Sequence, residues 1–221
     1  MASSGLPALD RILNNGYPDR SAILIIGQPG IGKEALGYLF IRAGLSQGDY
    51  CLYVTHRPVS DVLRDMKAFG VPPDVVPDWI AGAGSSVKCD LSDYTSTSFN
   101  IRQAVKRNSG RKLRIVTDVI SPFLILNPQP TMYQYWASLL ADLKQTDCVL
   151  LATAEDGMHS ESTMAALEQQ FDGVIELKTY EVGLSITPLL RVRKMLGLVP
   201  MQEYFRFSFS KSGMEVLPYV R

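Results

Sequence analysis

Short, nearly uninterrupted apolar runs alternate along this chain with longer stretches in which apolar residues recur every three or four positions. Runs of the first kind suit strands buried on both faces, and stretches of the second kind suit amphipathic helices. The alternation therefore predicts an α/β fold with a mostly parallel sheet and flanking helices. Strands are expected at residues 22–26 (AILII), 50–55 (YCLYVT), 113–117 (LRIVT) and 148–153 (CVLLAT), with a short one at 79–83. Helices are expected over 32–45, over 59–69 with a stop at Gly70 and the prolines of GVPP, and over 99–107, 132–144 and 160–171. The polar, Ser- and Thr-rich stretch 84–98 reads as a surface loop. From Asp172 onward the segments GVIEL, LSITPLLRVRK, EYFRFSFS and MEVLP are short and alternating, with a turn expected at Lys211 to Gly213. That change of character predicts an antiparallel C-terminal extension of the parallel sheet. No linker divides the chain, so a single domain over residues 1–221 is expected.

Between the first expected strand and the helix that follows lies GQPGIGKE, Gly27 to Glu34. A strand, then G-x-x-x-x-G-K, then a helix is the context in which backbone N–H groups and a helix N-terminus converge on an anion, with a lysine adding positive charge. Gly27, Gly30 and Gly32 would let the backbone of Gln28, Pro29 and Ile31 wrap a phosphate, and Lys33 would face it. The residue after the lysine should carry a hydroxyl, and here it is Glu34. Asp118, directly after LRIVT, stands at a strand end where a carboxylate could hold a magnesium ion.

Composition narrows the picture. The 22 basic and 22 acidic residues cancel, which removes any overall pull toward nucleic acid or anionic membrane. The basic cluster KRNSGRKLR, residues 106–114, has no interleaved aromatics for base stacking and reads as a solvated helix end and loop. Cys51, Cys89 and Cys148 lack metal or redox spacing and fit free thiols in a reducing compartment. No signal-type apolar stretch opens the sequence and no segment reaches the ~18 apolar residues of a membrane helix, so a cytoplasmic protein is expected. Tyr133, Tyr135 and Trp136 read as core aromatics with a second use at a subunit interface, and His159 as an exposed loop residue without metal spacing.

The sequence resembles a KaiC-like domain of the RecA superfamily, a group of archaeal and bacterial P-loop ATPases. The resemblance is carried in order by GLPALDRILNNGYPDRSAILIIGQPGIGKE, YCLYVT, IVTDVIS, CVLLATAED, FDGVIELKTYEVGLSITPLLRVRKMLG and YFRFSFSKSGMEVLP, nearly the whole chain. It implies a RecA-like P-loop fold, ATP and magnesium as cofactors, and ring assembly with nucleotide between subunits. It also exposes departures. Glu34 replaces the family's Thr or Ser that ligates magnesium. Thr55-His56-Arg57 stands where active relatives carry two glutamates, which puts His56 at the usual catalytic-acid position. Lys194-Met195-Leu196-Gly197 replaces Lys-Met-Arg-Gly, so Lys194 survives to reach a neighbour's phosphate and the arginine does not. These changes imply a degenerate site that binds ATP and magnesium weakly or binds neither, with Glu34 paired to Lys33, Arg57 or His56. The expected role is regulatory or scaffolding, through protein partners and a homo-oligomer. A working magnesium-dependent ATPase and a recombinase-paralogue role on single-stranded DNA are the alternatives, the latter disfavoured by the neutral charge.

Overall fold

A computed structural model describes residues 1–69, 71–72, 77–199, 203–210 and 213–217. The parallel strands are β1 (Ala22–Gly27), β2 (Tyr50–Val54), β3 (Asp78–Ala81), β4 (Val87–Lys88), β5 (Leu113–Thr117), β6 (Cys148–Glu155) and β7 (Gly173–Val182). They are followed by β8 (Ser185–Met195), β9 (Phe205–Ser210) and β10 (Gly213–Val216). All ten lie in one sheet of order β10-β9-β8-β7-β1-β6-β5-β2-β3-β4. Pairing is parallel from β7 across to β4 and antiparallel along β7-β8-β9-β10, as the change of pattern after Asp172 predicts.

Every residue of β1 is buried, because β1 pairs on both edges and is covered on both faces. Its side chains alternate between two cores. Ile23 and Ile25 pack with the helices α1 (Pro7–Ile12), α2 (Lys33–Ser46) and α3 (Val59–Ala68), while Leu24 and Ile26 pack with α4 (Tyr94–Arg107), α5 (Ile120–Leu126), α6 (Gln129–Lys144) and α7 (Glu161–Gln170). With helices on both faces, the carboxyl ends of the central parallel strands form the one edge where loops converge, which is where open α/β sheets place their sites.

Several elements depart from the pattern reading for local reasons. Helix α4 begins five residues earlier than the apolar spacing indicates, since the Asp93 side chain caps it by accepting from Ser96 N at 2.9 Å and Thr97 and Ser98 are buried. Helix α5 follows Asp118 directly, and its sequence ISPFLIL is too short and too apolar to show a helical period. Helix α1 has Pro7 in its first turn, and Asp10 fixes the segment before it by accepting from Ser4 N and Ser3 Oγ, both at 2.7 Å. Strand β7 runs on to Val182, five residues beyond the GVIEL run, as an exposed ribbon with β8. Gly70 and the first two residues of the turn expected at 211–213 lie outside the described residues.

The basic cluster 106–114 is only partly solvated. Arg114 has no exposed surface and lies over the Phe40 ring at 4.7 Å. It donates to Asp49 Oδ2, Ser3 O and Gln47 Oε1, each at 2.7 Å, and to Phe40 O at 3.2 Å. This one side chain ties β5, the end of α2 and the N-terminal segment together. Tyr135 and Trp136 are buried as expected, whereas Tyr133 is exposed. Among the described residues no helix is long and apolar enough to cross a membrane.

Candidate functional site

The glycine loop leaves the carboxyl end of β1 and enters α2 through Gly32, whose φ of +88° lies in the left-handed region. Gly30 shares that conformation, at +79°. No side chain caps the start of α2, so its first N–H groups face the loop. A Cβ on Gly32 would lie 2.3 Å from the ring of Phe209 on β9, so the antiparallel extension packs directly against the turn.

Lys33, the first residue of α2, is 1% exposed, and its surroundings are acidic. Its Nζ lies 2.9 Å from Glu34 Oε1 and 2.8 Å from each carboxylate oxygen of Glu155. Burying an ammonium group is tolerated only with such partners. The pairing expected for Glu34 with Lys33 is present. Arg57 is engaged elsewhere, at 2.5 Å from Asp65 on α3. Glu155 did not stand out in the sequence. Strand β6 continues two residues past the apolar run CVLLAT and so carries Glu155 to the level of Gly27, its register partner on β1. The sequence shows only an acid just past an apolar run; that the run lies beside the loop strand is visible in the structure alone.

Asp118 sits at the end of β5 beside the loop. Its Oδ2 accepts from Thr55 Oγ1 at 2.9 Å, and its Oδ1 is enclosed and takes no hydrogen bond from the described residues. Burial, only partly offset by Thr55 and Arg57, raises its pKa to about 7. His56 is exposed at the rim, and partial burial followed by the charge of Arg57 lowers its pKa, so its imidazole is neutral at pH 7. His159 is half-buried rather than exposed, because its Nε2 meets Ser121 Oγ at 2.9 Å, and that same Oγ accepts from Glu155 N. Ser121 thus ties the loop after β6 to the start of α5.

Glu34, His56, Arg57, Asp118 and Glu155 open on one cavity of about 380 Å³, walled on its outer side by Ile125, Leu126 and Met158. Lys194 is not part of this assembly. It pairs with Val174 near the start of β7, at the end of the sheet away from the loop, and its Nζ donates to Phe171 O at 2.5 Å and Glu168 O at 3.3 Å. Lys194 therefore lies away from the glycine loop of this chain.

A glycine loop between a central parallel strand and a helix, with an acid ending the strand next but one in the sheet, defines a P-loop protein of RecA-like fold. The family described as "ATPase: KaiC" matches residues 2–221, and the chain belongs to it. It is 30% identical to a UPF0273 protein of Methanopyrus kandleri over 98% of this chain and 91% of that one. It is 22% identical to the circadian clock protein KaiC2 of Synechocystis over 97% of this chain and 39% of that one. Among solved structures, the KaiC-like protein PH0186 of Pyrococcus horikoshii superposes with a TM-score of 0.85 at 23% identity, covering 98% of both chains, a likeness of fold.

Proposed function

We propose that this KaiC-family protein has lost ATP turnover and acts as a regulatory or scaffolding protein in the cytoplasm, through protein partners and copies of itself. The observation that carries this reading is the clamp on Lys33, whose positive charge is taken up by Glu34 and Glu155. Gly30 and Gly32 give the loop the left-handed turns that a phosphate cradle uses, but the side chains around it do not suit a phosphate. The lysine is engaged, the metal-ligating hydroxyl is a carboxylate, and the two acids expected after β2 are His56 and Arg57. Turnover of ATP needs a metal and a group that orients the attacking water, and Glu34, His56 and Arg57 stand where the residues serving those roles are expected. Leu196 in place of the trans-acting arginine argues against a ring bridged by nucleotide, so self-association would rest on protein surface. The burial of Arg114 removes one cation from the basic cluster, which weakens a DNA-binding role further.

A second reading, magnesium-dependent ATP turnover with Glu34 as a metal ligand, draws on the unpartnered Oδ1 of Asp118. One substitution separates the two. At ~5 Å from a polyphosphate and an effective dielectric near 20, the Glu34 carboxylate costs ~3 kcal/mol, about a hundredfold in affinity. Under the proposed function, Glu34→Thr restores the hydroxyl, frees Lys33 of one partner and raises the affinity for magnesium-ATP by up to about a hundredfold, read by titration calorimetry. If Glu34 ligates the metal, the same substitution leaves affinity unchanged or lowers it.

A further inference from the structure

A second cavity, of about 670 Å³, lies between β3 and helix α4 at the β3–β4 edge of the sheet, away from the glycine loop. Strand β4 pairs only with Ile80 and Ala81, so Asp78 and Trp79, which line the cavity, have no strand on their outer edge among the described residues. Such an edge is a template for a further strand. The facing wall is helical. Asn100, Gln103 and Arg107 recur at helical spacing along α4 and line the same cavity. Asn100 and Gln103 are half-buried, yet neither carboxamide makes a hydrogen bond among the described residues. Half-buried polar groups ordinarily find partners, and a carboxamide carries the donor and acceptor that match a peptide group. Charge adds a further requirement. The acid on the wall, Asp78, is engaged, its Oδ2 accepting from Tyr50 Oη at 2.8 Å. Arg107 has no carboxylate partner among the described residues, and Arg111, 5.8 Å above the Tyr50 ring, donates to the neutral Gly48 O. Two cations therefore face one acid that is already hydrogen-bonded. Phe99, 59% exposed, adds an apolar surface to the wall.

We propose that this cavity takes an extended peptide segment of a protein partner, laid beside β3 as an added strand. Its backbone amides meet Asn100 and Gln103, an acidic side chain meets Arg107, and an apolar one covers Phe99. Main-chain pairing supplies affinity in such strand addition, and the walls supply selectivity. A bare anion would leave both carboxamides and Phe99 unused. The volume lies within the roughly 300–1,000 Å³ of ligand sites and admits a few residues. The proposal deepens the function given above and rests on its partner-binding part, since it names the chemistry of the partner and the edge that receives it.

The test uses the full chain and the end-capped pentapeptide TVEVT as probe, followed by calorimetry and by the amide chemical shifts of Trp79 and Gln103. The control TVQVT lacks the charge, and the control TPEPT lacks two backbone donors. TVEVT is expected to bind saturably, TVQVT about tenfold more weakly, the margin of a charge-assisted hydrogen bond, and TPEPT not at all. Arg107→Gln is expected to abolish the preference for TVEVT over TVQVT, and Gln103→Leu to weaken both peptides by about tenfold. Arg107 is exposed and Gln103 half-buried, so both variants are expected to keep the unfolding midpoint of the unmodified protein. No saturable TVEVT binding, equal binding of either control peptide, or unchanged affinities in both variants overturns the proposal. Glutarate that binds as tightly as TVEVT also overturns it, marking a site for free carboxylates, as does self-association abolished by both variants, marking a site for a second copy. Failure of the two readings is distinguishable. Tight magnesium-ATP binding with turnover overturns the loss of ATP chemistry whatever the peptides do, whereas absent peptide binding in a protein that ignores ATP overturns this inference alone.

Discussion

At pH 8 the Asp118→Asn variant unfolds at higher denaturant concentration than the unmodified protein, with a gain of about 2 kcal/mol and a ceiling near ~4 kcal/mol. The cause is burial, which raises the Asp118 pKa from 3.8 to about 7 in the folded protein. Each pK unit corresponds to ~1.36 kcal/mol, which sets the ceiling, and the partial exposure of the residue as a whole sets the smaller expected value. A carboxyl group whose folded pKa is raised holds its proton more tightly in the native state. Its contribution to stability is fully present below pH ~4 and is lost as pH rises to 7. The amide of Asn does not titrate, so the advantage of the variant grows between pH 4 and pH 7 and is level above that. Chemical unfolding of both proteins at pH 4.5 and pH 8 reads the effect as a difference, in which the other titrating groups cancel. A difference that does not change with pH contradicts the assignment of the buried Oδ1.

Arg114→Ala is expected to cost ~3–5 kcal/mol, the range for removing one partner of a buried ion pair. The substitution leaves Asp49, only 11% exposed, without its guanidinium, and leaves Ser3 O, Phe40 O and Gln47 Oε1 without their donor. It also removes the group stacked on Phe40. The effect should appear as a lower midpoint in urea unfolding at unchanged slope, together with faster proteolysis of the N-terminal segment that Ser3 anchors. A loss below ~1 kcal/mol would mean that solvent reaches the arginine and that it does not pin the end of α2 and the N-terminal segment to β5.

The parts of the fold legible in the sequence are those in which period and burial agree. The runs AILII, YCLYV, LRIVT and CVLLAT each became a strand covered on both faces, because an all-apolar run between turn signals has few other places to go. The parts that were hidden are held by contacts that leave no periodic trace. Helix α4 starts at a single capping aspartate inside a polar stretch, and α1 is set by Asp10 accepting from residues before it. At the site, the loop and Asp118 could be read from spacing, since each follows a strand end. Glu155 could not, because its role depends on β6 lying beside β1, which joins residues more than 120 positions apart. The same long-range geometry placed Lys194 away from the loop of its own subunit and buried Arg114, which sequence alone groups with solvated neighbours.

Under the proposed function, the internal clamp on Lys33 stands in place of the nucleotide chemistry of this P-loop. Calorimetric titration of the unmodified protein with ATP, with and without magnesium, combined with a phosphate-release assay on the same sample, tests it most directly. The account predicts no saturable heat at micromolar ATP, no dependence on magnesium and no phosphate above the rate of a protein-free control. Tight, magnesium-dependent ATP binding accompanied by turnover would contradict it.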